Sequence, residues 1–245
     1  MSQNQDPNKL NGYYFRITTD ERSYFHDSSF YNADDEGVSN TLRCTITVQS
    51  DDDADKDEEV GWLHGQTIDV GQCHDNGICL FDAFDQSRDL LSVYSALFDM
   101  KGNQRETDDD GCISYVTYLK RLEILPAHRG KGLGLLLLWK LMASSNQTRF
   151  ALEPFPMQHG PIGEEDGWGA KFRPETFKGS KHLGSKKLAW YYGLLGFKKK
   201  ARDGFYFAST DFALPPIDQL LHKYRNKIGL KERARANTNA ASSLH

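Results

Sequence analysis

The chain has 245 residues, 38% hydrophobic and 12% aromatic, enough for a packed core in one large domain or two small ones. Its formal net charge of -4 and sequence pI of about 6.1 argue against a globally basic nucleic-acid binder. The longest apolar run, Leu133 to Met142, is broken by Gly134 and Lys140 and falls short of the ~18 residues a membrane helix needs, and the opening MSQNQDPNKLNG lacks the basic start and apolar stretch of a secretory signal; the expectation is a cytoplasmic protein with no membrane partner.

Residues 1–10 are polar and read as a disordered N-terminus. Gly12 to Thr19 is aromatic and β-branched, which predicts a strand. In Thr41 to Gln49, Leu42, Cys44, Ile46 and Val48 alternate onto one face of a second strand. The acidic run 51–59 predicts a solvated loop between hairpin strands, with Val60 to Val70 as the return. Phe84, Leu90, Leu91, Val93, Tyr94, Leu97 and Phe98 fall at helical spacing, so one helix is expected over 81–98 with Asp82 or Asp85 as its N-cap. Ile113 to Leu125 predicts a long central strand that Pro126 ends. A glycine-rich turn and an apolar helix over 133–143 follow, then a short strand over 149–155. An irregular, glycine-rich segment covers 157–184. Ser185 to Leu195 predicts a helix that Gly196 stops. A hairpin with Asp203-Gly204 at its turn, a helix over 217–227 and a flexible polar tail complete the chain. This alternation predicts an α/β protein. Cys44, Cys73, Cys79 and Cys112 match no zinc spacing and read as reduced thiols, with no metal site.

The chemistry concentrates in Leu122-Glu123-Ile124-Leu125-Pro126-Ala127-His128-Arg129-Gly130-Lys131-Gly132-Leu133-Gly134. A strand ends at a proline, and three glycines in five residues open a helix. Glycine admits a ligand close to the backbone, and a helix N-terminus offers unpaired N–H groups and a positive dipole. Arg129 and Lys131 add cationic charge, so the turn reads as a site for a di- or polyphosphate. The phosphate-loop pattern GxxxxGK[ST] and the dinucleotide pattern GxGxxG are both absent.

Arg129-x-x-Gly132-x-Gly134, preceded by Leu122-x-Ile124-x-Pro126, resembles the acetyl-coenzyme A signature [RQ]xxGx[GA] of the GNAT N-acetyltransferase superfamily. Downstream, Tyr192-Gly193-Leu194-Leu195-Gly196-Phe197 resembles the YxxxGF that closes that superfamily's fourth helix. The resemblance covers about residues 11–212, with 157–184 as an insertion shaping the acceptor site and 213–245 as a C-terminal helix and tail. It implies a mixed central sheet of about six to seven strands with helices on both faces. It also implies acetyl-CoA as cosubstrate, bound by Leu122, Ile124, Arg129, Gly130, Lys131, Gly132, Leu133, Gly134 and Ser185. By the same resemblance Tyr192 is the general acid for the leaving thiolate, Tyr191 being the neighbour that takes the role if the helix register differs. Glu153 and Glu123 are the candidate bases. Two departures stand out. Relatives carry asparagine where this chain has Ser185, which reads instead as able to cap its helix. They also place helices after the first strand rather than at 81–98. The implied activity is transfer of acetyl to a primary amine of a small molecule, protein or peptide by direct attack in a ternary complex, in a monomer or homodimer. A sensor that binds acetyl-CoA without turnover is the alternative. The basic clusters Lys198-Lys199-Lys200 and Lys231 to Arg235 leave a nucleic-acid interaction, with tRNA as a carrier of the amine, as a third reading.

Overall fold

β-Branched and aromatic runs form the sheet, and the apolar segments between them form helices that cover it. The computed structural model describes residues 9–10, 13–20, 38–49, 57–105, 113–156, 179–199, 204–209 and 213–227. Among these, strands β1 (Lys9–Leu10), β2 (Tyr13–Asp20), β3 (Ser39–Gln49), β4 (Asp57–Asp69), β5 (Tyr115–Ile124), β6 (Thr148–Leu152), β7 (Lys198–Lys199) and β8 (Tyr206–Ser209) make one sheet in the order β1-β2-β3-β4-β5-β6-β8-β7. Eight strands pair rather than six or seven, two of them only two residues long. Only β5 and β6 run parallel; every other described pair is antiparallel.

Each face carries its own core. On one face Leu63, Leu119, Phe150 and Leu152 pack with helix α4 (Leu133–Ser144) and with Leu220, Leu221 and Tyr224 of the C-terminal helix, 217–227. Partly buried Trp190, Tyr191 and Tyr192 of helix α5 (Lys181–Gly193) join them. On the other face Ile68, Val116, Tyr118, Ala151 and Phe207 pack with helices α1 (Val70–Asp75), α2 (Leu80–Phe84) and α3 (Arg88–Leu97). The α4 sequence LGLLLLWKLMAS is apolar all round, the pattern of a helix covered on both sides. The C-terminal helix supplies the second cover, and the Trp139 indole N–H donates to Pro215 O at 2.9 Å. The segment beyond residue 212 therefore belongs to the main core.

Several expectations need correction. The predicted single helix over 81–98 is two, because Asp85 closes α2 and Ser87 caps α3 through a 3.2 Å bond from Leu90 N–H. Neither Asp82 nor Asp85 is the N-cap of the long helix. Asp57, Glu58 and Glu59 are not loop residues: they continue β4 opposite Gln49, Val48 and Thr47. Lys9 and Leu10 pair with Tyr14 and Tyr13 instead of belonging to a disordered N-terminus. Helix α5 starts at Lys181, where the Ser180 hydroxyl accepts from Leu183 N–H. Ser185 thus sits inside the helix and caps nothing, and the irregular segment ends before Lys181. The helix also ends earlier than expected, at Gly193 with Leu194 as its C-cap; Gly196, with φ of 85°, closes the turn that follows. Residues 157–178, Asp203, Cys112 and the tail from Lys231 lie outside the described residues.

Candidate functional site

The parallel pair is where the sheet opens. Ladder pairing of β5 with β6 runs from Tyr115↔Thr148 to Leu119↔Leu152, after which β6 ends and β5 continues to Ile124. At the same point the β4–β5 register shifts: His64 pairs with Arg121 and Gly65 with Leu119, leaving Lys120 as the extra residue of a bulge. A bulge bends its strand and raises the local twist, and beyond it the described part of β5 has no ladder partner on the β6 side. It also resets which side chains share a face. Past the bulge, Leu122 and Ile124 pack on the α4 side. Arg121 and Glu123 take the opposite side, in register with His64 and Trp62.

Glu123 is buried, with 6% exposure, and its Oε1 accepts from Arg121 Nε at 2.5 Å. The Arg121 guanidinium lies 5.5 Å from the Trp62 ring centroid, and the Trp62 and His64 rings are 6.1 Å apart. Burial, then the charges of Lys120, Arg43 and Arg121, hold His64 below the usual imidazole range. Glu153, exposed, follows the end of β6; the Tyr118 hydroxyl is raised by burial first, then by Asp89, with Glu153 the smallest contributor. Sequence reasoning missed His64 and Arg121 as members of this cluster. Alternation alone puts Arg121 on the Leu119 side; only the bulge turns it toward His64.

The lowered imidazole gives a signed expectation. A depressed folded pKa favours the neutral ring, so His64 contributes stability above its unfolded value of about 6.5 that is lost as the pH falls. Thermal melts between about pH 5 and 8 should show a smaller acid-side decline in His64→Gln than in the wild type; equal declines would refute the assignment.

Beyond Ile124, Pro126–His128 forms a single 3-10 turn, and Gly130 and Gly132 adopt φ of 76° and 82°, a region that favours glycine. The two cations expected to meet phosphate already have partners. Arg129 Nε donates to Ile124 O at 2.8 Å, and Lys131 Nζ donates to the Tyr13 hydroxyl at 2.7 Å. His128 Nδ1 lies 3.1 Å from that same hydroxyl, so the turn is tied to β2. Gly130 is open, with no heavy atom within 4 Å of an added Cβ. The rest of the turn is covered. A Cβ at Gly132 would meet Leu221 Cδ2 at 3.1 Å and Tyr224 Cδ1 at 3.3 Å, and one at Gly134 would meet Tyr191 Oη at 2.9 Å and Leu122 Cδ2 at 3.0 Å. Gly132, as N-cap of α4, has no side chain to satisfy the first amides. The Tyr191 hydroxyl stands over this helix start, beside Gly134. Leu133 is buried in the α4 core.

Gly134 is therefore required by close packing as much as by any ligand. Gly134→Ala should cost about 1–3 kcal/mol through overpacking, read as a lower midpoint in denaturant unfolding with an unchanged slope.

Tyr192, one residue on, stands edge-on to Phe197 at 6.1 Å and to Tyr191 at 5.4 Å, and burial pushes its hydroxyl up to about 12. Ser185 lies partly buried in the second turn of α5. Cys44 and Cys73 are buried free thiols, raised by burial to about 12 and about 11, and Cys79 is an exposed one. Among the described residues no three histidine, cysteine or acidic side chains gather as a metal site, and no helix is long and apolar enough to cross a membrane. Lys198 and Lys199 form an exposed edge strand; Lys200 and Lys231 to Arg235 lie outside the described residues. Comparison with protein-family models, curated proteins and solved structures finds no match to this chain.

Proposed function

We propose that this chain is a GNAT-type N-acetyltransferase that moves acetyl from acetyl-CoA to a primary amine. The observation that carries the reading is the opening between β5 and β6 beside the glycine turn, with proton-handling groups sorted onto its two sides. Tyr192 packs with the α4 core on one face, while the register past the bulge turns Glu123 and His64 to the other, and Glu153 follows the end of β6. The strand order, with one parallel pair in an otherwise antiparallel sheet, supports the same architecture. The uncovered backbone at Gly130 and the dipole of α4 offer an anion subsite, while the covered half of the turn must rearrange to enlarge it.

The chemistry then follows from which group faces which side. A neutral amine attacks the thioester carbonyl; the N–C bond forms and the C–S bond breaks. Backbone N–H groups at the end of β5 near Ile124 would polarise the carbonyl oxygen. The proton released by the amine passes to the Glu123, His64 and Glu153 side, directly or through water. His64 suits that task because its lowered affinity for protons leaves it neutral near pH 7. Glu123 is already an acceptor of the Arg121 N–H. The departing thiolate takes its proton from Tyr192, whose raised hydroxyl remains protonated until then.

The test is calorimetry with acetyl-CoA, followed by an acetylation screen over peptides, polyamines, aminoglycosides and aminoacyl-tRNA. Binding with an acetylated product is expected. Absence of coenzyme binding would overturn the reading. Binding without product from any amine would favour a sensor of the same fold, a reading to which the Tyr191 hydroxyl standing over the start of α4 lends its own support.

A further inference from the structure

The glycine turn is half open and half latched. Around Gly130 nothing approaches, whereas Gly132 and Gly134 face side chains from two distant segments. Tyr191 does more than fill space. Its hydroxyl abuts Gly134 in the first turn of α4, beside donors that no residue of the turn can cap. The Tyr191 ring in turn stands edge-on to Tyr224 of the C-terminal helix at 5.6 Å. Tyr224 and Leu221 of that helix lie over Gly132. The helix is pinned at its start by Trp139 Nε1 to Pro215 O, and near its end by Lys227 Nζ, 3.9 Å above the Trp190 ring.

We propose that Tyr191 and the C-terminal helix form a clamp over the α4 N-terminus, which coenzyme A must release to seat its diphosphate fully. The proposal rests on the coenzyme reading above. Its logic is competition for one place: a phosphate oxygen and the Tyr191 hydroxyl cannot both occupy the space against Gly134 at the start of α4. Release of Tyr191 removes the edge contact that Tyr224 makes with it, so the helix and the hydroxyl are expected to move together. A clamp that is mostly closed lowers the apparent affinity by the fraction of open molecules. Loosening it should therefore tighten binding without adding any contact to the ligand.

Hydrogen exchange on the full chain, with and without coenzyme A, tests this directly. The clamp requires slower exchange at 129–135 and faster exchange at 217–227 when coenzyme A is bound. Exchange at 217–227 that is slowed or unchanged would make the helix a fixed wall and overturn the proposal. Calorimetry on Tyr191→Phe and Leu221→Ala supplies a second readout. Tyr191→Phe keeps the ring and removes only the competing oxygen, so it tests the clamp even if the leucine variant does not fold. Folded variants should bind coenzyme A more tightly, on the order of 3–10-fold; equal or weaker binding counts against the clamp. If neither wild type nor Tyr191→Phe binds coenzyme A, the coenzyme reading itself fails and the clamp with it. That outcome is distinct from a wild type that binds with its helix unmoved.

Discussion

Tyr192→Phe is expected to lower kcat for acetyl transfer by about 100-fold or more, the scale of a lost general acid, with coenzyme A affinity retained. The separation of the two effects comes from where the side chain sits. Its ring meets Phe197 and Tyr191 edge-on, and phenylalanine preserves both contacts. Only the hydroxyl is lost, and burial holds that hydroxyl protonated well past neutral pH. A thiolate leaving without a proton donor returns to the carbonyl more readily than it departs, so the penalty falls on the chemical step. Single-turnover kinetics with calorimetry in parallel separates this from a binding defect.

Tyr191→Phe is the informative neighbour. Its hydroxyl stands against Gly134 at the start of α4, so removing it should change coenzyme affinity and spare kcat. Were the two phenotypes exchanged, the acid would be Tyr191 and the register of α5 toward the substrate would need reassigning. Full activity in Tyr192→Phe would remove the acid role altogether.

The residues that were easiest to read from sequence are those governed by local rules. Leu42, Cys44 and Ile46 alternate because β3 shows one face to the core. Gly130 and Gly132 sit where the chain needs positive φ, and the run Leu135 to Leu138 is apolar because α4 is covered on both sides. What escaped depends on distant parts of the chain. Nothing near Gly132 announces that Leu221 and Tyr224 lie over it. Ser180 capped α5 from inside a glycine-rich stretch where Ser185 looked equally suited. The break between α2 and α3 falls in the polar run Asp85 to Asp89, which helical spacing on either side passes over, and Ser87 supplies a new cap there. The bulge at Lys120 left no mark in composition, yet it decides that Arg121 and Glu123 join His64. Its local signature was Gly65 on the neighbouring strand.

Gly65→Ala should be among the most damaging single substitutions in the chain. A Cβ there would stand 2.6 Å from Tyr118 O, and a backbone oxygen inside a sheet cannot rotate away as a side chain does. Overpacking of this kind costs about 3 kcal/mol, which for a chain of this size lowers Tm by roughly 6–12 °C. Gly61→Ala is the internal control. Its nearest atom is also at 2.6 Å, but that atom is Ile124 Cδ1, the end of a flexible side chain, so a smaller loss is expected. At Gly193 an added Cβ meets nothing within 4 Å, and alanine at this helical position should be neutral or stabilise by up to ~1 kcal/mol. Equal losses at Gly65 and Gly61 would show that β5 yields as a whole and that its bulge is soft. If Gly65→Ala instead falls furthest, the close approach of β4 and β5 is rigid. The course of β5 past the end of β6 is then fixed by a glycine on β4, the neighbouring strand. In that case, even at temperatures where the Gly65→Ala protein remains folded, acetyl transfer should fall with it, because the faces carrying Glu123 and Tyr192 no longer meet the same gap.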